Sequence, residues 1–548
     1  MASVRAGSPL NVPIKSSESV LIVDVTPGLD ASRPAVNLDL GFTPSSDNYI
    51  VHEGALEPRP MLSLHTQTPH VLGNTVITGM YELITVDGSR NQIASGQSNH
   101  AVYGQATSQN GWSTLSYVSA DGLSDPPSLA AYQYWDYAQV YSAVDDENLL
   151  YMAAGSQQTM YAHISGTTLF SSMTAAPRAK FVAALDNYVL AFNIQGTAGA
   201  LVQRAQWTDR GSASSWTGGL SGFEDLLSMR GAGTRVVTQD NAFLLFSDEE
   251  VWKGVSGNNV FPWQFAPYDQ SRGCPYSWTI ASTPLGTMFL GKDYQVYLLP
   301  KGGGPSVPIG QRLQRSIRSD IDYPERAWAV FDNTYGQYKL YYPKRGGSTF
   351  PQKAAFLDVE GGSWMPQSFD STGGAISLTR GCEGQLSSSA TTWGGAQASG
   401  LTWGGYRALG FTWADMNGRV TGRAILAGSS KGTIYYENSD GTNDNGTAVP
   451  CRWQSPALLG DDPSQQKTVR ELRVDYQSNS ASAMTVQFSA DVGASFISSG
   501  ISLPATSRMS QSIAYPYYGA RYPLFEVTNE GVRHRLFRFQ MTYTRGGR

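Results

Sequence analysis

Short apolar runs that alternate with polar residues and end in Gly, Asp or Asn recur along nearly the whole chain. That is the pattern of half-buried β-strands joined by tight turns, and helix-period stretches are scarce, so an all-β protein is predicted. Single units can be quoted: KFVAALDNYVLAFNI from residue 180, TRVVTQDNAFLLFSDEEVWKGV from 234, WTIASTPLGTMFLGKDYQVYLL from 278, AWAVFDNTYGQYKLYYP from 327 and AILAGSSKGTIYYEN from 424. Weaker copies begin at residues 76 and 143. Each has a strand, a tight polar turn, a second apolar strand and an aromatic near its end. About seven units spaced by roughly 40–50 residues match the blades of a β-propeller. Closing such sheets on themselves also leaves few open edges. A set of unrelated sandwiches is the competing arrangement.

The two ends depart from this spacing. Residues 1–65 hold one strand-like run, SVLIVDVTPGLD, followed by a stretch rich in Pro and turn residues, which predicts an extended N-terminal arm with platform strands. Residues 66–440 are the β-propeller-like domain. Past the turn-rich ENSDGTNDNGTAVP the strands lengthen, and the alternation in RLFRFQMTY predicts a C-terminal β-sandwich over 441–548. One segment, TTWGGAQASGLTWGGYRALGFTWADM at 391–416, places Trp393, Trp403 and Trp413 ten residues apart. Ten fits neither the helical period nor the strand period, so short glycine-punctuated loops anchored by tryptophan are predicted, with a ligand-stacking ladder as the alternative.

Composition narrows the functional classes. Of 548 residues 58 are glycine and only 15% are charged, against roughly 25% in average proteins. Together with 13 Trp, 29 Tyr and 20 Phe, this predicts a surface partly covered by other subunits. A net charge of −5 offers no global basic field for holding nucleic acid. Cys274, Cys382 and Cys451 lie far apart with no C-x-x-C pair, arguing against a disulfide framework or a zinc site. The first twenty residues lack the apolar core of a signal peptide, and no run of ~18 apolar residues occurs, so a soluble protein made in a cytoplasm is expected.

Candidate chemistry is sparse. His52, His65, His70, His100, His163 and His534 are scattered, without H-E-x-x-H or ligand spacing. No G-x-S-x-G elbow and no phosphate loop is present. The acidic groups Asp145, Asp146, Glu147 and Asp248, Glu249, Glu250 sit between strands, where such groups are ordinarily solvated hairpin tips; as a pair flanking a bond they would be a glycosidase. GGAISLTRG at 373 reads as a Gly-bounded strand and nothing more. In DGTNDNG, Asp440, Asn443, Asp444 and Asn445 could face calcium, but the spacing is not that of an EF-hand and a plain polar loop is expected. Arg533, Arg535 and Arg538 alternate with apolar residues, as on an exposed strand face that meets carboxylates. SADVGASF at 489–496 fits the S-x-D-x-G-x-[ST]-[WF] Asp box, in which Asp491 closes a hairpin turn over Phe496. No catalytic, metal or cofactor residues are assigned, and no enzyme activity is expected.

SRPAVNLDLGFTPSSDNYIVHEGALEPRP resembles the N-terminal stretch of the tail nozzle proteins of short-tailed bacteriophages, also called tail tubular protein B or tail stabilisation proteins. The shared features are an Arg-Pro, a Gly-x-Thr-Pro turn, Asn48-Tyr49, Glu53-Gly54 and Arg59-Pro60. AQWTDRGSASSWTGG is similar to the family's motif of two tryptophans around an Asp, here Trp207, Asp209 and Trp216. The run FLLFSDEEVWKGV, then Gly273-Cys274, then TMFLGKDYQVYLL looks like its usual succession of blades, and VQFSADVGASF like its C-terminal hairpin, with Val492 in place of a glycine. The resemblance implies a structural virion protein: a homohexameric ring in the tail below the portal-proximal ring and adaptor, meeting tail fibre or needle proteins. Such a ring retains the genome, passes double-stranded DNA without binding it stably, and faces the host envelope during ejection. A β-propeller glycosidase or glycan-binding adhesin is the alternative; an enzyme of that kind would need an acid pair or an arginine cluster at the propeller centre.

Overall fold

The computed structural model describes residues 18–545 apart from 387–422 and shorter stretches at 66–71, 73–74, 87, 89, 98, 105–111, 118–128, 130–132, 144–145, 155–159, 164–168, 174, 197–198, 213, 258–260, 371–374, 461–463, 479–483, 500 and 502. Trp393, Trp403 and Trp413 fall outside the described residues. Strands dominate; one α-helix, Gln311–Asp320, occurs among the described residues. The chain separates into two compact units, one of residues 47–52 and 59–450, the other of residues 1–46, 53–58 and 451–548.

Among the described residues the larger unit contains seven blade sheets and a short two-stranded ribbon, Asn443–Asp444 with Thr447–Ala448. Blade 1 is Gly79–Ile84, Arg90–Ser95, His100–Gly104 and Ser113–Thr114; blade 2 is Asp136–Ser142, Glu147–Ala153, Met160–His163 and Leu169–Ser172, with Ser116–Tyr117 added in parallel. Blade 3 is Arg178–Leu185, Tyr188–Gly196, Gly199–Trp207 and Gly222–Asp225, and blade 4 is Gly233–Gln239, Ala242–Ser247, Val251–Ser256 and Trp263–Asp269. Blade 5 is Ala281–Thr283, Gly286–Leu290, Val296–Pro300 and Val307–Pro308, and blade 6 is Trp328–Asp332, Gln337–Tyr342, Lys353–Asp358 and Trp364–Ser368. Blade 7 is Leu378–Gln385, Arg423–Ser429 and Ile434–Asn438, and its fourth strand comes from the other end of the sequence, Met61–Leu64, with Tyr435 opposite Leu64 and Asn438 opposite Met61. The first strand of every blade packs on that of the next, and the first strand of blade 7 packs on that of blade 1, closing a circle. The unit is a seven-bladed β-propeller in which the first strands line the axis.

Local sequence explains the hairpins. The Asp-Asn pairs in LDNY and QDNA connect strands with only two residues, which demands positive φ at both positions. Asp186 and Asn187 have φ of 51° and 63°, and Asp240 and Asn241 of 49° and 57°. Between blades the apolar faces interlock: Val140, Leu149 and Tyr151 of blade 2 meet Val182 and Val189 of blade 3, while Phe181, Leu190 and Phe192 on the opposite face meet Val236, Phe243 and Trp252 of blade 4.

Blades 6 and 7 are also joined by buried charge. Lys339 is fully buried; its ammonium donates to Asp332 at 2.6 Å and to Glu437, whose other oxygen accepts from the Tyr341 hydroxyl at 2.7 Å. Burial works against the ammonium, but the two carboxylates raise its pKa above the ordinary lysine value. The closing strand is fixed by a second pair. Arg59, immediately before it, donates to Asp444 at 3.0 Å, to the Ser368 carbonyl at 3.1 Å and to Asn48 Oδ1 at 3.2 Å, while Asp444 also accepts from the Leu62 N–H at 2.7 Å. Asp444 is therefore a buried counter-charge, in contrast to the polar loop expected of DGTNDNG.

The smaller unit is a β-sandwich. One sheet orders Pro450–Gln454, Leu524–Glu530, Met484–Ser489 and Ile497–Ser498; the other is built on His534–Arg545 and Lys467–Ser478, with Thr506–Ala514 on the far side and Glu18–Asp24 paired along His534–Arg545. Between them Trp453 stacks on Phe539 at 5.6 Å and Phe525 meets Phe539 at 4.5 Å. The run SVLIVDV, expected in an extended arm, supplies this paired strand. The alternation in RLFRFQMTY is interrupted: Asp475 opposes Arg538 but Tyr476 opposes Leu536, so Phe537 is bulged out and Leu536 joins Phe539, Met541 and Tyr543 in the core. Arg535 pairs with Glu53 at 3.0 Å and Arg538 with Asp475, so these arginines meet carboxylates of the same chain.

Candidate functional site

At the propeller axis the first strands converge with side chains that no sequence motif connects. Asp136 opens blade 2, Arg235 lies on the first strand of blade 4, Trp278 and Ile280 lead into blade 5, Trp328 opens blade 6, and Arg380 lies on the first strand of blade 7. They surround a cavity of about 140 Å³ that Tyr81 and Tyr137 also line. Small residues make the convergence possible: a Cβ on Gly381 would lie 2.6 Å from the Trp328 ring.

Arg235 donates to Asp136 Oδ1 at 3.0 Å, and the Val182 N–H donates to the other carboxylate oxygen at 3.1 Å. Burial pushes the Asp136 pKa upward, while Arg235 and the backbone donor oppose that. The Arg235 guanidinium lies 4.4 Å from the Trp278 ring centre. Arg380 stacks on the same ring at 4.2 Å and on Tyr134 at 3.7 Å. Only 5% of Arg380 is exposed, and none of its three nitrogens meets a hydrogen-bond acceptor among the described residues. Burial pulls its pKa down to about 9, which leaves it protonated at neutral pH. This is the arginine of GGAISLTRG, the segment that read as a plain strand. Arg235 and Arg380 thus form the axial arginine pair that local sequence gave no means of assembling.

The sequence-selected residues occupy other places. Trp207 and Trp216 fall on opposite faces of blade 3, Trp207 in the core shared with blade 4 and Trp216 in the core shared with blade 2. Asp209 ties the loop between them, accepting from the Leu220 N–H at 2.9 Å, while the Trp207 indole donates to the Leu220 carbonyl at 2.9 Å. The motif holds blade 3 to both neighbours. Of the acidic groups, Glu250 is buried rather than solvated and accepts from the Arg230 N–H and the Trp252 indole, each at 2.8 Å.

In the sandwich, Asp491 accepts from the Ser495 N–H and the Ser489 hydroxyl, each at 2.8 Å, and from the Ser495 hydroxyl at 2.6 Å. The Ser495 hydroxyl and N–H bonds hold its carboxyl down to about 2. Phe496 is half-buried beneath Gly493. Val492 sits at φ 59°, a left-handed conformation that a β-branched residue adopts only under strain. Val492→Gly is accordingly expected to stabilise the unit by about 1 kcal/mol, read as a higher denaturant midpoint at unchanged slope; a lower midpoint would show that the valine side chain contributes packing that outweighs its strain.

The class of protein defined by these features is a seven-bladed β-propeller with an attached β-sandwich and an arginine-aromatic axial cavity. No protein-family model and no curated protein matches the chain. Among solved structures it is similar to YCF48 bound to a D1 peptide, with 8% identity and a TM-score of 0.36 over 75% of this chain and 100% of that one. It is also similar to a fungal alcohol oxidase of the AA5 family in complex with copper, with 10% identity and a TM-score of 0.39 over 83% of this chain and 98% of that one. Likeness at this level transfers no activity.

Proposed function

We propose that the chain is a structural subunit of a short bacteriophage tail, a nozzle that assembles as a homohexameric ring, retains the genome and conducts double-stranded DNA during ejection. The observation that carries this reading is the use made of the N-terminal stretch through which the sequence resembles nozzle proteins. Its residues are knots of the fold: Arg33 pairs with Asp30 at 3.0 Å, the Thr43 hydroxyl donates to the Gln454 carbonyl at 2.7 Å, Asn48 donates to the Pro450 carbonyl at 2.8 Å, and Arg59 pairs with Asp444. Of these contacts, those of Thr43, Asn48 and Arg59 reach residues about 400 positions further along the chain, so the stretch that carries the resemblance also has a structural role, which supports the reading. Self-association is supported by strand Glu18–Asp24, where Val20 and Ile22 are 53% and 55% exposed beside low overall charge. In the ring the partners are further copies, the tail adaptor and portal-proximal ring, fibre or needle proteins, and passing DNA.

Negative-stain microscopy of the purified protein is expected to show six-fold rings, and titration with short duplexes at physiological salt is expected to show little affinity. Dispersed particles, or tight duplex binding with a steep salt slope, would overturn the reading. A second reading, a glycan-processing or glycan-binding propeller, is favoured by the axial arginine pair; turnover or retention of a glycan by dispersed protein would support it.

A further inference from the structure

The Arg380 guanidinium lies over both Tyr134 and Trp278, two rings set edge-to-face to one another, and its N–H groups meet no acceptor among the described residues. Leaving such a charge buried and unpaired is costly. Among the described residues the cavity wall holds two guanidiniums, Arg235 and Arg380, against one carboxyl group, Asp136, so cationic groups outnumber acidic ones. Asp136 is the hydrogen-bonded carboxyl partner of Arg235; Arg380 has no such hydrogen-bonded partner among the described residues and feels Asp136 only from a distance. A planar carboxylate matches the in-plane fork of arginine with two parallel hydrogen bonds. The remaining wall mixes the apolar side chains of Trp328, Met80 and Ile280 with the Tyr81 and Tyr137 rings, and about 140 Å³ admits only a small ligand.

We infer that the axial cavity of the propeller binds a small organic monocarboxylate, its carboxylate held by Arg380 and its apolar part against Trp278 and Trp328. This site is independent of the tail reading, since it needs neither the ring nor DNA. Thermal melts of the full-length protein with propionate, butyrate and benzoate test it, with propionamide, chloride and inorganic phosphate as comparators. Ligand that binds only the folded state raises Tm in a concentration-dependent way. The monocarboxylates are expected to do so and the neutral amide not; Arg380→Lys is expected to weaken the response about tenfold, because charge remains but the fork is lost. In Arg380→Met the dependence on carboxylate is expected to vanish while the protein without ligand melts no lower, a relieved charge being what that change leaves. If the methionine variant does not fold, the comparison of propionate with propionamide on the unaltered protein decides alone. No carboxylate response, an equal response to propionamide or phosphate, or a response retained in Arg380→Met would each overturn the assignment.

Discussion

Lys339→Ala is expected to destabilise the propeller by about 3–5 kcal/mol, the scale of breaking a buried ion pair from one side. The fully buried ammonium stands between Asp332 and Glu437, so its removal leaves two carboxylates facing each other across the seam of blades 6 and 7. Burial already pushes the Glu437 pKa upward, and Lys339 is the group that restrains it. Without the lysine the folded-state pKa of Glu437 climbs further, and a group with a raised folded pKa favours folding at low pH and opposes it as pH rises through that value. The deficit of the variant should therefore be largest at neutral pH and shrink towards pH ~4, the ordinary carboxylate value. Adding Glu437→Gln to Lys339→Ala should recover part of the loss, a non-additivity measurable by denaturant melts of the single and double variants. A single variant within about 1 kcal/mol of the parent at neutral pH would mean that the cluster is wet and the charges screened.

Arg59→Ala is expected to cost a similar amount, about 3–5 kcal/mol, by a different route. The change strands the Asp444 carboxylate, removes the donors to Asn48 and to the Ser368 carbonyl, and takes away a guanidinium lying 4.4 Å from the Phe369 ring centre. Because Asp444 also accepts from the Leu62 N–H, the damage should be local before it is global. Hydrogen exchange should show Met61–Leu64 and its partner strand Ile434–Asn438 losing protection first, with blades 3 and 4 unchanged under the same conditions. Uniform loss across all blades would indicate that the ring opens as one unit and that Arg59 has no special hold on the last blade.

What the sequence discloses depends on how local the cause is. The Asp-Asn turns of blades 3 and 4 are legible because a two-residue hairpin restricts backbone angles residue by residue, and the flanking apolar runs then follow by alternation. Trp207 and Trp216 stand out in the sequence only through the motif of the resembled family, and their places in two different inter-blade cores come from the fold. Met61–Leu64 is different: nothing in MLSL tells that it completes a sheet whose other strands lie at the far end of the propeller, since backbone pairing at that distance leaves no short-range trace. The phase of RLFRFQMTY misleads, because a bulge at Phe537 moves Leu536 into the core while the sequence alternates smoothly through Phe537, Phe539 and Met541. Arg380 is the sharpest case. One arginine in a glycine-bounded strand carries no spacing signal, and its setting comes from Tyr134, Trp278 and Arg235, each brought by another blade. Asp444 likewise looks like one more polar turn residue until Arg59 is placed beside it.

The closing strand of the propeller also sets a clock on synthesis. Residues 61–64 leave the ribosome early and their partners at 434–438 late, so at about 5–20 residues per second roughly 20 to 75 seconds pass between them. Throughout that interval the nascent chain can stack blades 1 to 6 but cannot close the circle, and the strand that will seal it waits with its backbone donors and acceptors unsatisfied. Such an interval exposes a sheet edge to pairing with neighbouring chains on the same polysome. Faster elongation shortens the exposure and a pause anywhere between residues 64 and 434 prolongs it, so the yield of folded protein is tied to the total time taken to translate that stretch, whichever blade the pause falls in.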